Sequence, residues 1–573
     1  MTQPQLDSKY NWDNLENRWY KYWLQKKYFQ ADKDSSKEPY TIVIPPPNVT
    51  GKLTMGHVLN NTIQDILIRK ARMEGKNACW IPGIDHASIA TESKVEGMLN
   101  EKGISKSSLS REEFLEYAWD WKEKYGGIII KQLKTLGCSC DWDRERFTMD
   151  EDYTNAIMHA FVELYEEGLI YKGKRLVNWC PASKSAISDE EVIHKEKNGK
   201  LWHLRYPISG ENGYVVVATT RPETMLGDSA VAINPKDKRY KHLAGKKILL
   251  PIVNRKIPII FDDFVNIDFG TGCVKVTPAH DPNDFDMGNR HDLEFINIMN
   301  DDASLNHNVP EKYQELSRED ARRTIIEEMS SKDLIDQIED YTNNVGYSER
   351  GGVPIEHYLS DQWYMKMDTL AQPALEAVSS GKIKFHPEHW IKTYNHWMEN
   401  IKDWCISRQL IWGHQIPVWY HKEDNDKVHV SIEGPADPEN WKREKDVLDT
   451  WASSWLWSFA VHSWPDKDKN LKTFYPTNTL VTGPDIIFFW VARMIMAGTK
   501  FLNEIPFKDV YFTSILRDKD GKKFSKSLGN SPDPFTLFKE YGTDAVRFST
   551  MLMSPQGLDV LFSNERLEIG RNF

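Results

Sequence analysis

The chain has 573 residues, of which 40% are hydrophobic and 27% charged, and its formal net charge is −11. This length predicts several domains with their own cores, and the negative charge argues against a protein that coats nucleic acid by bulk attraction, although a local basic surface could hold RNA phosphates. With six scattered cysteines, no apolar run of about 18 residues and a polar N-terminus, we expect a cytoplasmic protein without a membrane span or secretory signal.

The first predicted elements are a strand and a helix. The apolar run Tyr40-Thr-Ile-Val-Ile44 predicts the strand. The helix is predicted from apolar residues at spacings of three and four, namely Met55, Leu59, Ile63, Ile66 and Leu67. His57 then falls in the first helical turn, where exposed N–H groups and the helix dipole favour a phosphate.

The texture of the chain changes twice after this opening. Alternating strand-like and amphipathic segments extend to about residue 185, as in a layered βα domain. Short β-rich runs then prevail from about 186 to 335, among them Tyr214–Ala218, Lys247–Leu250 and Gly272–Val276. The βα texture resumes after about 385, with a strand at Asn478–Thr482 and a helix at 485–497 that Asp485 is predicted to cap and Gly498 to end. The sequence therefore predicts a βα fold that is split by a mainly β insertion.

A second informative segment lies near the end of the chain. Gly521-Lys-Lys-Phe-Ser-Lys-Ser-Leu-Gly-Asn530 places Lys523 and Lys526 in a glycine-flanked loop that can reach phosphates and release them. Together with His57, these lysines predict an ATP site that is assembled from two distant parts of the chain.

These two segments carry a specific resemblance. Thr54-Met-Gly-His57 and Lys523-Phe-Ser-Lys-Ser527 resemble the HIGH and KMSKS signatures of class I aminoacyl-tRNA synthetases. The resemblance implies an α/β fold, with a Rossmann-like catalytic domain split by a β-rich editing insertion and followed by the start of a helical stem-contact region. The implied domains are the first catalytic half at 1–185, the insertion at 186–335, connective segments with the second catalytic half at 336–515, and the lysine loop with the start of the stem-contact region at 516–573. Because the chain ends in helix-like sequence at Phe573, we expect it to be truncated before the anticodon-binding domain.

The family also implies which residues serve ATP. His57, Lys523 and Lys526 are the implied catalytic residues, with Thr54, Gly56 and Ser525 as further ATP contacts. Cations and N–H groups of this kind stabilise the charge that develops as a carboxylate attacks the α-phosphate. Thr54 departs from the signature, which usually has a histidine there, and a threonine can donate a hydrogen bond but cannot carry charge. Magnesium is expected to arrive with ATP.

Four further stretches resemble the valine-specific members of this family, namely Pro45–Thr50, Pro82–Thr91, Asp446–Trp451 and Asp485–Trp490. This resemblance implies that the chain activates valine to valyl-adenylate and transfers it to tRNA(Val). The implied amino-acid pocket is lined by Pro46, Asn48, Asp85, Trp451, Ile486 and Trp490. Asp85 would meet the substrate ammonium group, while Ile486 and Trp490, four residues apart on one predicted helix face, would form rigid apolar walls.

A valine pocket creates a need for a second, hydrolytic site. An apolar wall rejects an added hydroxyl only about 10²-fold, the established figure for a valine pocket that faces threonine. Within the insertion, Thr219–Asp228 and Lys275–Phe285 resemble the editing motifs of the family. The residues implied to bind a threonyl ester there are Arg221, Thr224, Lys275, Thr277, Asp281 and Asp284. Of these, Asp281 is expected to hold the amino group of the misacylated threonine.

The sequence does not predict a protein-bound metal. Cys180-Pro-Ala-Ser183 stands where some relatives carry a CxxC zinc site, but the second ligand here is serine, so neither structural zinc nor another protein metal site is expected.

We expect a monomer whose partners are valine, ATP and tRNA(Val). The alternatives are a catalytically silent tRNA-binding paralogue, which Thr54 and the absent C-terminal domain would suit, and an isoleucine-specific relative, which Asn48, Asp85 and the HDPND sequence at 280–284 disfavour.

Overall fold

The computed structural model describes residue 12 and residues 15–268, 270–349, 351–424, 426–524 and 529–573. The chain forms two compact units, one made of Met1–Tyr171 and Tyr364–Phe573 and the other of Lys172–Trp363. The first unit therefore consists of two stretches of chain separated in sequence by the second unit, as the split fold predicts.

The first stretch opens with helices and short parallel strands. In chain order its elements are α1 (Leu15–Gln25), β1 (Pro39–Val43), α2 (Met55–Met73), β2 (Asn77–Ile81), β3 (Gly83–Ile84), α3 (Ser88–Glu101), α4 (Arg111–Thr135), β4 (Arg146–Phe147), α5 (Glu151–Glu166) and β5 (Ile170–Cys180), the last of which continues into the second unit. The predicted strand at Tyr40–Ile44 and the predicted helix that begins at Met55 are both confirmed.

The second unit is rich in β-structure. Its further elements are β6 (Ser185–Ile187), β7 (Val192–Pro207), β8 (Tyr214–Thr219), β9 (Ala230–Ile233), β10 (Lys247–Leu249), β11 (Lys256–Phe261), β12 (Cys273–Val276), α6 (Pro282–Arg290), α7 (Arg318–Ser331), β13 (Ile335–Ser348) and β14 (Glu356–Met365), the last of which ends in the first unit. One antiparallel sheet has the order β13-β7-β8, and a four-stranded sheet has the order β10-β11-β9-β12. The predicted insertion at 186–335 lies inside this unit, which extends further because β13 pairs along the length of β7.

The core of the second unit comes from the inward faces of these strands. Leu204 and Tyr206 of β7, Val217 of β8, and Val231 and Ile233 of β9 are all buried in one apolar cluster. Alternate residues of a strand point to the same face, so each strand contributes every second side chain to this core.

The second stretch of the first unit completes its α/β structure. Its elements are α8 (Asp368–Ser379), β15 (Lys384–His386), α9 (Trp390–Glu399), β16 (Trp404–Cys405), β17 (Ser407–Arg408), β18 (Val418–His421), β19 (Val428–Val430), β20 (Trp441–Arg443), β21 (Val447–Leu448), α10 (Thr450–Ser454), α11 (Trp457–Ala460), α12 (Lys469–Phe474), β22 (Thr477–Thr482), α13 (Arg493–Phe501), β23 (Phe507–Phe512), β24 (Leu516–Arg517), α14 (Pro534–Tyr541), α15 (Thr543–Met553), β25 (Val560–Leu561) and α16 (Glu565–Asn572). Short 3₁₀ helices occur at Lys106–Ser108, Trp142–Arg144, Asp189–Glu191, Pro222–Gly227, Lys241–Leu243, Glu311–Tyr313, Pro438–Asn440 and Pro484–Ile486.

Parallel strands form the centre of the first unit. β1 pairs with β2 in parallel across the connecting helix α2, and β23 pairs in parallel with both β15 and β22. The backbone N–H of Thr41 in β1 donates to Asn478 Oδ1 in β22 over 2.7 Å, which joins the two halves of the split fold. The loops that follow β1 and β22 carry predicted site residues, in keeping with ligand binding beyond the carboxyl ends of strands in open α/β sheets.

The helix after β22 differs from the prediction. Asp485 does not cap it, because the chain first makes the 3₁₀ turn Pro484–Ile486 and the π-helical segment Ile487–Ala492, and α13 follows. Gly498 does not end it either, since α13 continues to Phe501. The glycine instead permits close packing, because a Cβ at this position would lie 2.6 Å from the Tyr475 hydroxyl.

Among the described residues, no helix combines the length and the apolar character that crossing a bilayer requires.

Candidate functional site

The first motif builds the N-terminus of α2. Thr54 is the N-cap, with φ −107° and ψ 174°, and its backbone N–H donates to His57 Nδ1 over 3.2 Å. The Thr54 hydroxyl lies 2.9 Å from the same nitrogen. Because a backbone N–H can only donate, Nδ1 accepts, and the neutral imidazole carries its proton on Nε2. Gly56 is exposed in the same first turn. The turn thus combines N–H groups and an imidazole donor, an arrangement that suits a phosphate oxygen.

Lys523 is held by an acidic residue at the start of the helix after β22. Its Nζ forms an ion pair with Asp485 Oδ2, and its carbonyl accepts a hydrogen bond of 3.2 Å from Asn530 Nδ2. Both charged side chains are about half exposed, and such pairs contribute little to stability. Lys523 can therefore exchange Asp485 for a phosphate at little cost. Ser525 and Lys526 lie outside the described residues.

Direct contacts join the first predicted ATP-binding segment to the residues that follow the lysine loop. Lys52 Nζ lies 3.0 Å from Asp533 Oδ2, and the Met55 N–H donates to Ser531 Oγ over 3.5 Å. Lys52 and Met55 flank Thr54, while Ser531 and Asp533 follow the lysine loop. The start of α2 and the chain after the lysine loop are therefore neighbours.

The predicted amino-acid pocket begins with a backbone pairing. Asn48 pairs with Asp85 in a parallel bridge, in which the Asp85 N–H donates to Pro47 O and the Val49 N–H donates to Asp85 O, each over 3.0 Å. Asn48 is exposed and Pro46 is half-buried, whereas Asp85 is only 3% exposed. The structure thus places three of the predicted pocket residues in two adjoining loop segments.

Burial and hydrogen bonds set the charge state of Asp85. The Ala87 N–H donates to Asp85 Oδ1 over 2.7 Å, and the Ser454 hydroxyl donates to Asp85 Oδ2. Burial raises the pKa of Asp85 to about 6, although these two donors act in the opposite direction and favour the charged form. Ala87 adopts a left-handed conformation with φ 48°, which directs its N–H at the carboxylate. Asp85 is therefore a buried acceptor that ionises near neutral pH.

The apolar side of this pocket is aromatic. Trp490 is buried, and its Nε1 donates to Ser454 O over 3.0 Å. Trp451 lies on α10 with its ring centroid 5.8 Å from that of Phe489, and Ile486 is half-buried in the preceding 3₁₀ turn. Rigid rings of this kind suit a small branched apolar side chain.

Sequence reasoning missed Ser454. This residue contacts both Asp85 and Trp490 and lies three positions after Trp451 on α10. Because residues three apart share a helix face, the Trp451 assignment was the available signal.

The predicted editing residues gather around a carboxylate that was not predicted. Lys275 Nζ lies 3.0 Å from Asp228 Oδ1, and the Thr277 hydroxyl donates to the same oxygen over 2.6 Å. The Tyr206 hydroxyl donates to Asp228 Oδ2 over 2.7 Å. Asp228 is fully buried, and burial raises its pKa against the opposing effect of Lys275. Asp228 ends the Thr219–Asp228 motif, which was the signal in the sequence.

Asp281 and Asp284 stand at the start of α6. Asp281 is its N-cap and accepts from the N–H groups of Asn283 over 2.9 Å and Asp284 over 3.2 Å. Asp284 Oδ2 accepts from the Thr277 N–H over 2.8 Å. Burial, and then the neighbouring Asp281 charge, raise the pKa of Asp284 to about 7. These two carboxylates therefore adjoin the Asp228 cluster and differ in exposure, since Asp281 is half-buried and Asp284 buried.

Arg221 and Thr224 occupy the 3₁₀ helix at Pro222–Gly227 and its cap. The Arg221 guanidinium pairs with Glu356 and lies 3.4 Å from Glu223 Oε1, while its Nη1 donates to His280 O over 3.4 Å. The Thr224 hydroxyl donates to Arg221 O over 3.0 Å. Arg221 thus neutralises buried carboxylates beside Asp281, and the six predicted editing residues form one connected region of the second unit.

Comparison with known proteins supports a family assignment. The family described as tRNA synthetases class I (I, L, M and V) matches residues 18–563. Valine–tRNA ligase of Bacteroides fragilis is 54% identical over 583 residues, which cover 99% of this chain and 66% of that protein. The enzymes of that name from Parabacteroides distasonis and Fusobacterium nucleatum are 54% and 53% identical, with 67% and 65% of their lengths covered. The chain thus spans about two thirds of the length of these curated relatives.

Solved structures are similar to this chain in fold. A ternary complex of Agrobacterium radiobacter K84 agnB2 LeuRS with tRNA and LeuAMS matches with a TM-score of 0.55 and 17% identity over 98% of this chain and 75% of that one. Mycobacterium tuberculosis methionyl-tRNA synthetase bound to methionyl-adenylate matches with a TM-score of 0.50 and 14% identity over 93% of this chain and 68% of that one. At these identities the likeness concerns the fold alone. With its family match across most of its length and more than half of its residues shared with curated relatives, the chain belongs to the class I tRNA synthetases.

Proposed function

We propose that this chain activates valine with ATP to form valyl-adenylate and transfers the valyl group to tRNA(Val). The observation that carries this proposal is the arrangement in which the Asp85 carboxylate is joined through Ser454 to the buried Trp490 indole. A carboxylate can hold the ammonium group of an amino acid, while the aromatic wall accepts a small apolar side chain. The choice of valine is supported by the names of the curated relatives.

In the proposed reaction, the valine carboxylate attacks the α-phosphate of ATP and pyrophosphate leaves. His57 would donate from Nε2 to a phosphate oxygen, together with N–H groups of the first turn of α2. Lys523 and Lys526 would neutralise the departing pyrophosphate, and magnesium would enter bound to the ATP phosphates. Lys523 would leave Asp485 as the phosphates arrive.

Amino-acid-dependent exchange between ATP and pyrophosphate tests this proposal. We expect exchange with valine to exceed exchange with isoleucine, with threonine intermediate because it is nearly isosteric with valine. Preference for isoleucine would assign the chain to the isoleucine-specific relatives. Absence of exchange with all three amino acids would instead favour a silent tRNA-binding protein.

The imidazole of His57 should matter more than the hydroxyl of Thr54. We expect His57→Ala to reduce pyrophosphate exchange by about 10²-fold, because a donor aimed at developing charge is lost. Thr54→Ala should reduce exchange less than about tenfold, since its backbone N–H still orients His57 Nδ1. Thr54→Ser, which keeps the hydroxyl, is the control. Equal, small losses in His57→Ala and Thr54→Ala would refute the assignment of His57.

We further propose that the second unit hydrolyses threonyl-tRNA(Val). The supporting feature is the polar cluster in which Lys275 and Thr277 contact Asp228 and the Thr277 N–H donates to Asp284, with the half-buried Asp281 beside Asp284. Asp281 would hold the threonine ammonium group, while Arg221 and Thr224 support the neighbouring backbone. A polar pocket of this kind favours threonine, whose hydroxyl can be paired there, over valine.

Replacing Asp281 by asparagine tests the editing role with little disturbance of α6. Asparagine is an equally good N-cap but lacks the charge that meets an ammonium group. We expect deacylation of preformed threonyl-tRNA(Val) to fall by about tenfold to 10²-fold while valine-dependent exchange is unchanged. Asp468→Asn is the matched control, because Asp468 caps α12 through a 3.0 Å hydrogen bond from the Leu471 N–H. Deacylation equal to that of Asp468→Asn would remove Asp281 from the proposal.

The chain is also proposed to work as a cytoplasmic monomer. All six cysteines lie in the described part of the chain and no disulfide joins any two of them, which suits a reducing compartment. Light scattering of the purified protein at micromolar concentration tests the monomer.

A further inference from the structure

We propose that Ser454 is a positioning residue, which holds the Asp85 carboxylate and the Trp490 indole in one arrangement so that an incoming ammonium group meets a fixed acceptor. This inference rests on the proposed activation of an amino acid at Asp85. It concerns a residue that no motif assigned and that contacts both Asp85 and Trp490.

The contacts of Ser454 engage both its side chain and its backbone. Its hydroxyl donates to Asp85 Oδ2, and its carbonyl accepts from Trp490 Nε1 over 3.0 Å. Ser454 is 2% exposed and Asp85 3% exposed, so water does not compete for these bonds. Oδ1 is taken by the Ala87 N–H, and a carboxylate has about four acceptor positions, so lone pairs remain for an ammonium group.

The Ser454 hydroxyl has two possible acceptors and one proton. Besides Asp85 Oδ2, it lies 3.1 Å from Thr450 O, one helical turn earlier on α10. A charged carboxylate is the stronger acceptor, so ionised Asp85 draws the hydroxyl toward the pocket. When Asp85 is protonated, the hydroxyl can donate to Thr450 O and accept a hydrogen bond from the Asp85 carboxyl O–H. Ser454 thereby favours the charged form of Asp85 and fixes its direction.

The other ionisable groups near Asp85 do not replace this bond. His86 Nδ1 lies 3.6 Å from Asp85 Oδ1, but burial holds the pKa of His86 well below its usual range, so the ring is neutral. Tyr153 on α5 also stays neutral, because burial raises its pKa well above 10. Asp449 adds a negative charge that disfavours ionisation of Asp85. Two arginines offset part of that charge, since Arg408 Nη2 lies 3.3 Å from Asp449 Oδ1 and Arg493 Nη1 lies 3.9 Å from Asp449 Oδ2.

The test compares Ser454→Ala with two companion variants. Ser454→Thr keeps a hydroxyl at the same position and should preserve the behaviour of the natural protein. Ser458→Ala is the matched control, because Ser458 Oγ on α11 is also buried but has no hydrogen-bond partner in the described part of the chain. Valine affinity is measured by calorimetric titration without ATP from pH 5.5 to 8.5, and valine-dependent pyrophosphate exchange is measured over the same range.

In Ser454→Ala we expect the pH at which valine binding is half-maximal to rise by about one unit, from about 6 to about 7, so that the KM for valine rises about eightfold at pH 5.5 and about twofold at pH 7, with the KM for ATP unchanged. Ser458→Ala and Ser454→Thr should follow the natural protein. A Ser454→Ala pH profile that coincides with that of Ser458→Ala would overturn the proposal, as would an equal loss in Ser454→Thr. If the natural protein binds valine but exchanges no pyrophosphate, the proposed function fails, while the pH dependence of binding still decides the role of Ser454.

Discussion

Asp85→Asn is expected to lower kcat/KM for valine in pyrophosphate exchange by about 10³-fold at pH 7.5, with the KM for ATP close to that of the natural protein. The carboxylate is the buried charge that would pair with the substrate ammonium, and asparagine leaves that ammonium without a counter-charge. Asparagine has the size of aspartate and can still accept from the Ala87 N–H. The loss should therefore come from the charge rather than from a collapse of the pocket.

The ionisation of Asp85 predicts how both kcat/KM and stability change with pH. Burial raises the pKa of Asp85 to about 6, whereas an unfolded aspartate has a pKa near 4. Valine binding needs the ionised form, so kcat/KM of the natural protein should rise with pH through about 6, and Asp85→Asn should show no such rise. Because the pKa of Asp85 is higher in the folded than in the unfolded protein, the protonated group stabilises the fold below about pH 4, and this stabilisation is lost as the pH rises through about 6. Asp85→Asn should consequently be no less stable than the natural protein at pH 8.

Denaturant unfolding at pH 8 and exchange kinetics between pH 5.5 and 8.5 check these expectations together. A stable Asp85→Asn protein with an unchanged KM for valine would exclude Asp85 from amino-acid binding. Asp141→Asn is a suitable control, because Asp141 is also a buried aspartate of the first unit whose pKa burial raises, and it is not assigned to the pocket.

The local parts of this molecule could be predicted because short-range patterns encode them. An apolar run predicts β1, and spacings of three and four predict α2, so the sequence alone places His57 in the first turn of that helix. Asn48 lies shortly after the predicted strand, whereas Asp85 was assigned through the family resemblance alone. Their pairing across two loops confirms that the two stretches are neighbours.

The tertiary parts could not be predicted, because periodicity does not specify which distant side chains meet. Ser454 donates to a carboxylate 369 positions away, and its helical spacing from Trp451 does not reveal that contact. Asp228 joins Lys275 and Thr277 only because β9 and β12 pair with each other. The π-helical turn that precedes α13 likewise seats Trp490 against Ser454, a contact that helical spacing alone does not contain.

The largest loss of stability is expected from Asp65, a buried carboxylate on α2. Its Oδ2 lies 2.7 Å from Arg69 Nε and pairs with Arg547 of α15, while its Oδ1 accepts from the N–H and hydroxyl of Ser139 over 2.8 Å and 2.6 Å. The Asp65 side chain is 0% exposed and that of Arg547 14%. Asp65→Ala leaves the largely buried Arg547 guanidinium without the carboxylate that pairs with it, so the free energy of unfolding should fall by about 3–5 kcal/mol at pH 7.

At acidic pH, the difference in the free energy of unfolding between Asp65→Ala and the natural protein should disappear. Burial acts to raise the pKa of Asp65, but Arg547, Arg69 and Ser139 outweigh it and hold the pKa below the usual range. A depressed folded pKa contributes stability above the unfolded pKa, near 4, that is lost as the pH falls through the folded value. The unfolding midpoints of Asp65→Ala and the natural protein in urea should therefore approach each other below about pH 4.

Two further variants separate the buried charge from a general effect on α2. Glu74→Ala removes an exposed partner of Lys70 at the end of the same helix and should change the midpoint little. The double variant Asp65→Leu with Arg547→Leu should regain most of the stability lost in Asp65→Ala, because an apolar pair can replace a buried ion pair without leaving a charge unpaired. If Asp65→Ala unfolds at the same urea concentration as Glu74→Ala, the ion pair does not hold α15 to α2. If Asp65→Ala is destabilised and the double variant regains that stability, the Asp65–Arg547 ion pair anchors α2, the helix whose first turn carries His57.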